Sequence, residues 1–167
     1  MIPLPAKPAF DPANPAPYWI AAAQIYNGLR GCGAPIPMTV GALANADMES
    51  AFKPGAVGDK DTAFNIWQWH WNPRGQRILD RTGIDVRREA SVKKICSALW
   101  WELNNVYPNQ LVMLKAFKVS GMAARYFCTF IEGAGATDAA SRREQDAEIL
   151  DVWVAKNADF IAKHPAQ

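Results

Sequence analysis

The sequence predicts a mostly α domain of the α+β kind, with helices gathered around one small β-hairpin-like lobe. Three observations carry this. Apolar residues recur at three- and four-residue steps through most of the chain after residue 18. One segment, 64–71, switches to a period of two. The 167 residues are 50% apolar and 20% charged, the size and balance of one folded domain with a proper core.

The elements follow in order. Six prolines, Pro3, Pro5, Pro8, Pro12, Pro15 and Pro17, fill the first seventeen residues. Their fixed φ and missing amide donors predict an extended arm over 1–17, packed on its own domain, which occupies 18–167. Trp19, Ala22, Tyr26 and Leu29 mark a first helix that Gly31 and Gly33 stop. A second begins near Thr39, carries Val40, Leu43, Ala44 and Met48 inward, and ends around Ser50 before Pro54-Gly55. In Phe64-Asn65-Ile66-Trp67-Gln68-Trp69-His70-Trp71 three indoles alternate with other residues, a short strand or hairpin. Helices resume over Gln76–Arg81, which Gly83 ends, and then along Val92, Ile95, Leu99, Leu103 and Val106. One long helix is expected from Gln110 to Gly133, and a last one from Asp138 or Ser141 with Ala147, Leu150, Val154 and Ile161 inward.

Composition narrows the function classes. A net charge of +2 offers no basic stripe of the kind nucleic acid needs. No apolar run approaches the ~20 residues of a membrane span. Cys32, Cys96 and Cys128 lack metal-ligand spacing and are odd in number, so buried free thiols are expected. Two histidines make a poor metal site, and neither a Ser-His-Asp pattern nor a phosphate loop is present. The expected chemistry therefore needs no metal and no organic cofactor. The opening Met1-Ile2-Pro3-Leu4-Pro5 lacks the layout of a signal peptide.

Among polar residues Glu49 stands at the C-terminal end of the second helix, on the margin of its buried stripe and next to the indole-rich lobe. Desolvation there disfavours the anion, and the negative end of the helix dipole acts the same way. That is what a general acid requires, although periodicity alone does not separate Glu49 from an ordinary helix-end glutamate. Asp59 is either a partner carboxylate or a turn residue after Gly58, with Asp61 a weaker substitute. Gln68 and His70 share a strand face suited to hydrogen bonding. Trp67, Trp69 and Trp71 suit either core or sugar stacking, and at least one is expected in each role. Glu102 and Glu132 lie where a bare carboxylate is costly, so each is expected to pair with an arginine, Arg142 and Arg143 being candidates.

Five pieces in sequence order resemble the phage tail lysozyme family, and also goose-type lysozymes and soluble lytic transglycosylases. They are Glu49-Ser50, Gly58-Asp59, Phe64 to His70 with its Gln68-Trp69-His70 ending, the Glu102-Leu103 pair, and Ile131-Glu132 before Gly133. The resemblance spans roughly residues 38 to 145. It departs where the strand's usual glycine is Asn65, where the aromatic before Glu132 is Ile131 without the proline that often follows, and where a goose-type aspartate aligns with His70. The resemblance implies a lysozyme-like fold and cleavage of the β-1,4 bond between N-acetylmuramic acid and N-acetylglucosamine in peptidoglycan. In it Glu49 is the catalytic acid, and Asp59 is a water-holding carboxylate on the order of 6.5–9.5 Å away if it acts as base. Ser50, Gln68, Trp69 and His70 are expected at the substrate. The attack comes from water or, as in transglycosylases, from the muramyl 6-hydroxyl. The implied setting is a phage particle or a host cytoplasm before release to the wall, with the arm free to meet other tail proteins. The rival reading is a silent wall-binding or structural virion protein on the same fold.

Overall fold

The computed structural model describes residues 4, 6–133 and 137–167; the arm prolines Pro3 and Pro5 lie outside them. Helix α1 spans Pro17–Gly31, with proline at its first turn, where a missing amide costs nothing. Helix α2, Ile36–Ser50, is buried without interruption from Met38 to Asp47. A helix buried on every side belongs at the centre of a bundle, and α1, α6 and α7 all pack against it. Its end is a residue in left-handed conformation, Ala51 at φ 51°, which turns the chain into the lobe.

The lobe is a three-stranded antiparallel sheet of two-residue strands: β1 (Val57–Gly58), β2 (Ala63–Phe64) and β3 (Trp69–His70). Val57 faces Phe64, and Phe64 faces Trp69. The hairpin-like lobe expected around the three tryptophans is present as these three strands. Asn65 and Gln68 take φ values of 70° and 46°, so the chain turns between β2 and β3. Trp67 and Trp69 both end up buried, their ring centroids 5.7 Å apart.

An irregular helical turn, Trp71–Gly75, leads into α3, Gln76–Thr82, which closes on Gly83 at φ 75°. Helix α4, Val92–Asn105, starts where the Ser91 hydroxyl accepts the Lys94 amide at 3.3 Å. The long helix expected over 110–133 is two helices, α5 (Pro108–Ala116) and α6 (Ser120–Phe130). A continuous helix would carry Lys118, four residues past Leu114, onto the buried face. Instead Phe117 is extended (ψ 140°), Lys118 faces solvent, and α6 restarts with Ser120, Gly121, Ala123 and Ala124 inward. Helix α7, Thr137–Lys156, and the short α8, Ala158–Ala162, complete the bundle. The three cysteines are free thiols, Cys96 and Cys128 buried and Cys32 half-buried.

The arm lies on the bundle. Trp19 Nε1 donates to the Pro8 carbonyl at 3.0 Å. Phe10 sits edge-on to Trp19, Trp153 and Phe160 at 5.1–5.9 Å between centroids. No described helix is long and apolar enough to cross a membrane.

Candidate active site

The end of α2, the lobe, the 71–75 turn and the end of α6 surround a cleft of about 380 Å³. Glu49, Asp59, Trp67, Gln68, His70, Arg74 and Glu132 line it. Each arrives for a local reason. Glu49 is brought to the cleft by the last turn of α2, and Ser50 beside it fixes that turn against the lobe. The Ser50 hydroxyl bonds the Ala46 carbonyl at 3.1 Å and the Ile66 carbonyl at 2.9 Å. This hydroxyl is engaged by backbone, and Ser50 is not among the lining residues, so its expected substrate contact gives way to a role in joining helix to lobe.

Gln68 enters the cleft from a left-handed residue, its amide nitrogen donating to the Asn65 carbonyl at 2.8 Å and the Ala56 carbonyl at 3.3 Å. Gly58 makes room for it: a Cβ there would collide with Gln68 Oε1. Trp69 does not reach the cleft. Its ring is fully buried and its Nε1 donates to Glu102 Oε2 at 2.9 Å, which corrects the expectation of a direct sugar contact. Of the three indoles Trp67 lines the cleft from a nearly sealed position. Trp71 faces a second hollow of about 360 Å³, where the Arg87 guanidinium lies 3.5 Å from its ring centroid. His70 borders both spaces.

Asp59 stands at the rim, exposed, in a turn whose carbonyl accepts the Thr62 hydroxyl at 2.8 Å. Its carboxylate approaches His70 Nε2 at 3.2 Å, both groups more than half exposed. The turn role and the cleft position therefore coexist in one residue.

The floor is a set of carboxylates and guanidiniums. Arg74 grips Glu102 in a two-point pair, Nε to Oε1 at 2.6 Å and Nη2 to Oε2 at 2.9 Å. Glu102 was expected to pair with an arginine, and it does, through Arg74. Arg143, on α7, donates instead to Glu49 Oε1, a partner the sequence did not indicate because 94 residues separate the two. Glu132 gains no such partner: among the described residues its Oε1 is sealed from solvent and meets no donor. Desolvation, and then the nearby Glu49 carboxylate, hold the Glu132 carboxyl well above the usual range, so it favours its neutral form. Sequence reasoning placed Glu132 in a structural pair. The signal that could have placed it at the site was its position at the end of a helix packed on α2.

A helical bundle with a small antiparallel lobe, and an acidic cleft between them reached by a helix-end glutamate, defines the class of lysozyme-like proteins. The model of one family, phage tail lysozyme, matches residues 21–152. This chain belongs to the phage tail lysozyme family. No curated protein and no solved structure matches the chain.

Proposed function

We propose that the protein is a peptidoglycan-cleaving muramidase that cuts the β-1,4 bond between N-acetylmuramic acid and N-acetylglucosamine. The observation that carries this reading is the position of Glu49, with only 24% of its side chain exposed, lining an open cleft and fixed by Arg143. The carboxyl is half-dry, oriented, and reachable by a polymer. In this reading Glu49 protonates the glycosidic oxygen as the bond to the muramyl C1 breaks. Gln68 and His70 contact N-acetyl or hydroxyl groups. The hollow beside Trp71 extends the cleft and offers an indole face to a further ring.

The developing positive charge on the sugar is met either by a water held near Asp59 or by the muramyl 6-hydroxyl, giving hydrolysis or an anhydro product. Asp59 at the rim beside His70 supports the water-holding role. Family membership supports delivery as part of a phage tail, with the wall as target and neighbouring tail proteins as partners. A second reading, a silent wall-binding or structural tail protein, draws support from the ion pair of Glu49 with Arg143, which already engages the carboxyl that would have to deliver a proton.

A zymogram on purified peptidoglycan separates the two. Wild type is expected to clear the gel and Glu49→Gln to reduce clearing at least a hundredfold, within the range general acids contribute. Folded wild type without clearing overturns the enzymatic reading. Mass spectrometry of the products distinguishes reducing ends from anhydro ends.

A further inference from the structure

Glu49, Glu132 and Arg74 line the cleft, and Arg143 and Glu102 pair with Glu49 and Arg74 from behind it. Glu102 holds one edge of Arg74 through Nε and Nη2, and Glu49 holds Arg143. Glu132 is the odd carboxyl: it lines the same cleft as Glu49, and its sealed Oε1 has no donor among the described residues. Each of these two arginines is already held by another glutamate, so a proton is what neutralises the third acid. An unpaired buried carboxylate is too costly to persist, so that proton resides on the carboxyl with no guanidinium of its own.

We propose that Glu132 stores the proton that Glu49 uses, and that the two carboxyls act as one proton-sharing pair. The inference rests on the muramidase reading for its use, though not for its existence. Glu132 touches no part of the glycan in this role. It is a positioning residue that acts through Glu49 and resolves the conflict between an acid and its ion pair. At rest the proton sits on Glu132 while Glu49 is an anion beside Arg143. When a glycan covers the cleft, the proton passes from a Glu132 oxygen to Glu49, leaving Glu132 anionic. Glu49 then gives it to the glycosidic oxygen, which keeps both electrons of the breaking bond. The attacking water or 6-hydroxyl releases one proton as its oxygen bonds to C1, and that proton reloads the pair. One proton leaves and one returns.

The groups that face this pair come from every neighbouring element. Glu49 stands on α2, Arg143 on α7 with Arg142 next along it, Arg74 on the 71–75 turn, and Cys128 on α6 itself, with Asp59 and His70 across the cleft. Replacing Glu49 by glutamine removes the charge that opposes ionisation of Glu132 and frees Arg143 to pair with it.

Carbon-13 titration of the glutamate carboxyls tests this without activity. In wild type one carboxyl, assigned by Glu132→Gln, is expected to titrate well above the exposed glutamates, and in Glu49→Gln its midpoint is expected to fall by at least about one pH unit. A Glu132 carboxyl that titrates with the exposed ones, or is unmoved by Glu49→Gln, overturns the proposal. In kcat/KM the alkaline limb of Glu132→Gln is expected at lower pH than that of wild type by about one unit, whereas a merely structural loss would lower the rate without moving the limb. An unmoved limb also overturns it. If Glu132→Gln fails to fold, Glu132→Asp serves for assignment, and the titrations of wild type and Glu49→Gln still decide. Wild type that cleaves nothing defeats the muramidase reading, while the titration continues to judge the shared proton.

Discussion

Asn65 does two things at the base of the lobe. Its backbone takes φ 70°, a conformation that asparagine tolerates better than most side chains. Its amide nitrogen donates to the Val86 and Glu89 carbonyls, both at 2.8 Å, and its Oδ1 accepts the Ile66 amide. Where the family resemblance has glycine, this chain keeps the left-handed turn and adds a tie to the segment before α4. Asn65→Gly should keep the turn and lose the bonds, costing about 2 kcal/mol. Asn65→Ala should lose both and cost about 1–2 kcal/mol more, because alanine resists that φ. Urea unfolding of the two variants checks the order; equal losses would mean the turn contributes nothing. Residue identities at the site were legible where they repeat a family pattern, as with Glu49, Asp59, Gln68 and His70, all of which line the cleft. Partners were not. The Arg143–Glu49 and Arg74–Glu102 pairs join residues far apart in the chain, and pairing across a fold leaves no periodic trace in sequence.

At the scale of elements, α2 sets the site, because its last turn carries Glu49 and its middle is wedged among three helices. The wedge is closest at Gly41. A Cβ there would stand 2.7 Å from the Ala124 amide nitrogen and 2.9 Å from the Ala123 carbonyl carbon, both backbone of α6. Four residues later in the same contact, Asn45 bonds the Ala124 carbonyl at 3.0 Å. Helix propensity favours alanine over glycine by about 1 kcal/mol, so on local grounds Gly41→Ala should stabilise. Backbone cannot move aside as a flexible side chain can, and overpacking of this sort costs about 1–3 kcal/mol. The net expectation is a destabilised protein with a displaced α2, read as a lower thermal midpoint. A higher midpoint would show that α6 yields freely. The helical period gave α1, α2, α3 and α4 to within a few residues, because their stripes end at glycine, proline or a serine cap. It failed at 116–120, where the apolar stripe runs on toward Ser120-Gly121 and a continuous helix would have turned Lys118 inward. The lobe was legible as irregular but not as three strands, since two-residue strands are too short to show an alternation of their own.

The whole molecule is tied together by the arm, and the tie lies close behind the candidate site. Lys7 inserts its ammonium between Asp47 of α2 and Asp146 of α7. Asp47 is two residues before Glu49, and Asp146 is three after Arg143, so one lysine fastens the two helices that supply the Glu49–Arg143 ion pair. Burial alone would push the Lys7 ammonium down, but the bonds to Asp146 and Asp47 outweigh it and hold the group above its ordinary value. Burial, and then the charge of Asp47, push the Asp146 carboxyl up to about 7. The folded state therefore keeps a proton on Asp146 through a range in which the unfolded chain, with its carboxyl near 3.8, has released it. Stability from this group falls as pH rises from about 4 to 7 and levels off above. Without Lys7 the two carboxylates would face each other with no cation, and breaking a buried ion group in this way costs about 3–5 kcal/mol. Lys7→Met should therefore lose that amount near pH 8, where both carboxyls must ionise or take up a proton at a cost. Near pH 5 the loss should be smaller, since protonation of the pair then relieves the repulsion. Urea denaturation at the two pH values measures the difference. A loss equal at both would mean that Lys7 contributes by packing and that its charge does not hold the arm to the bundle.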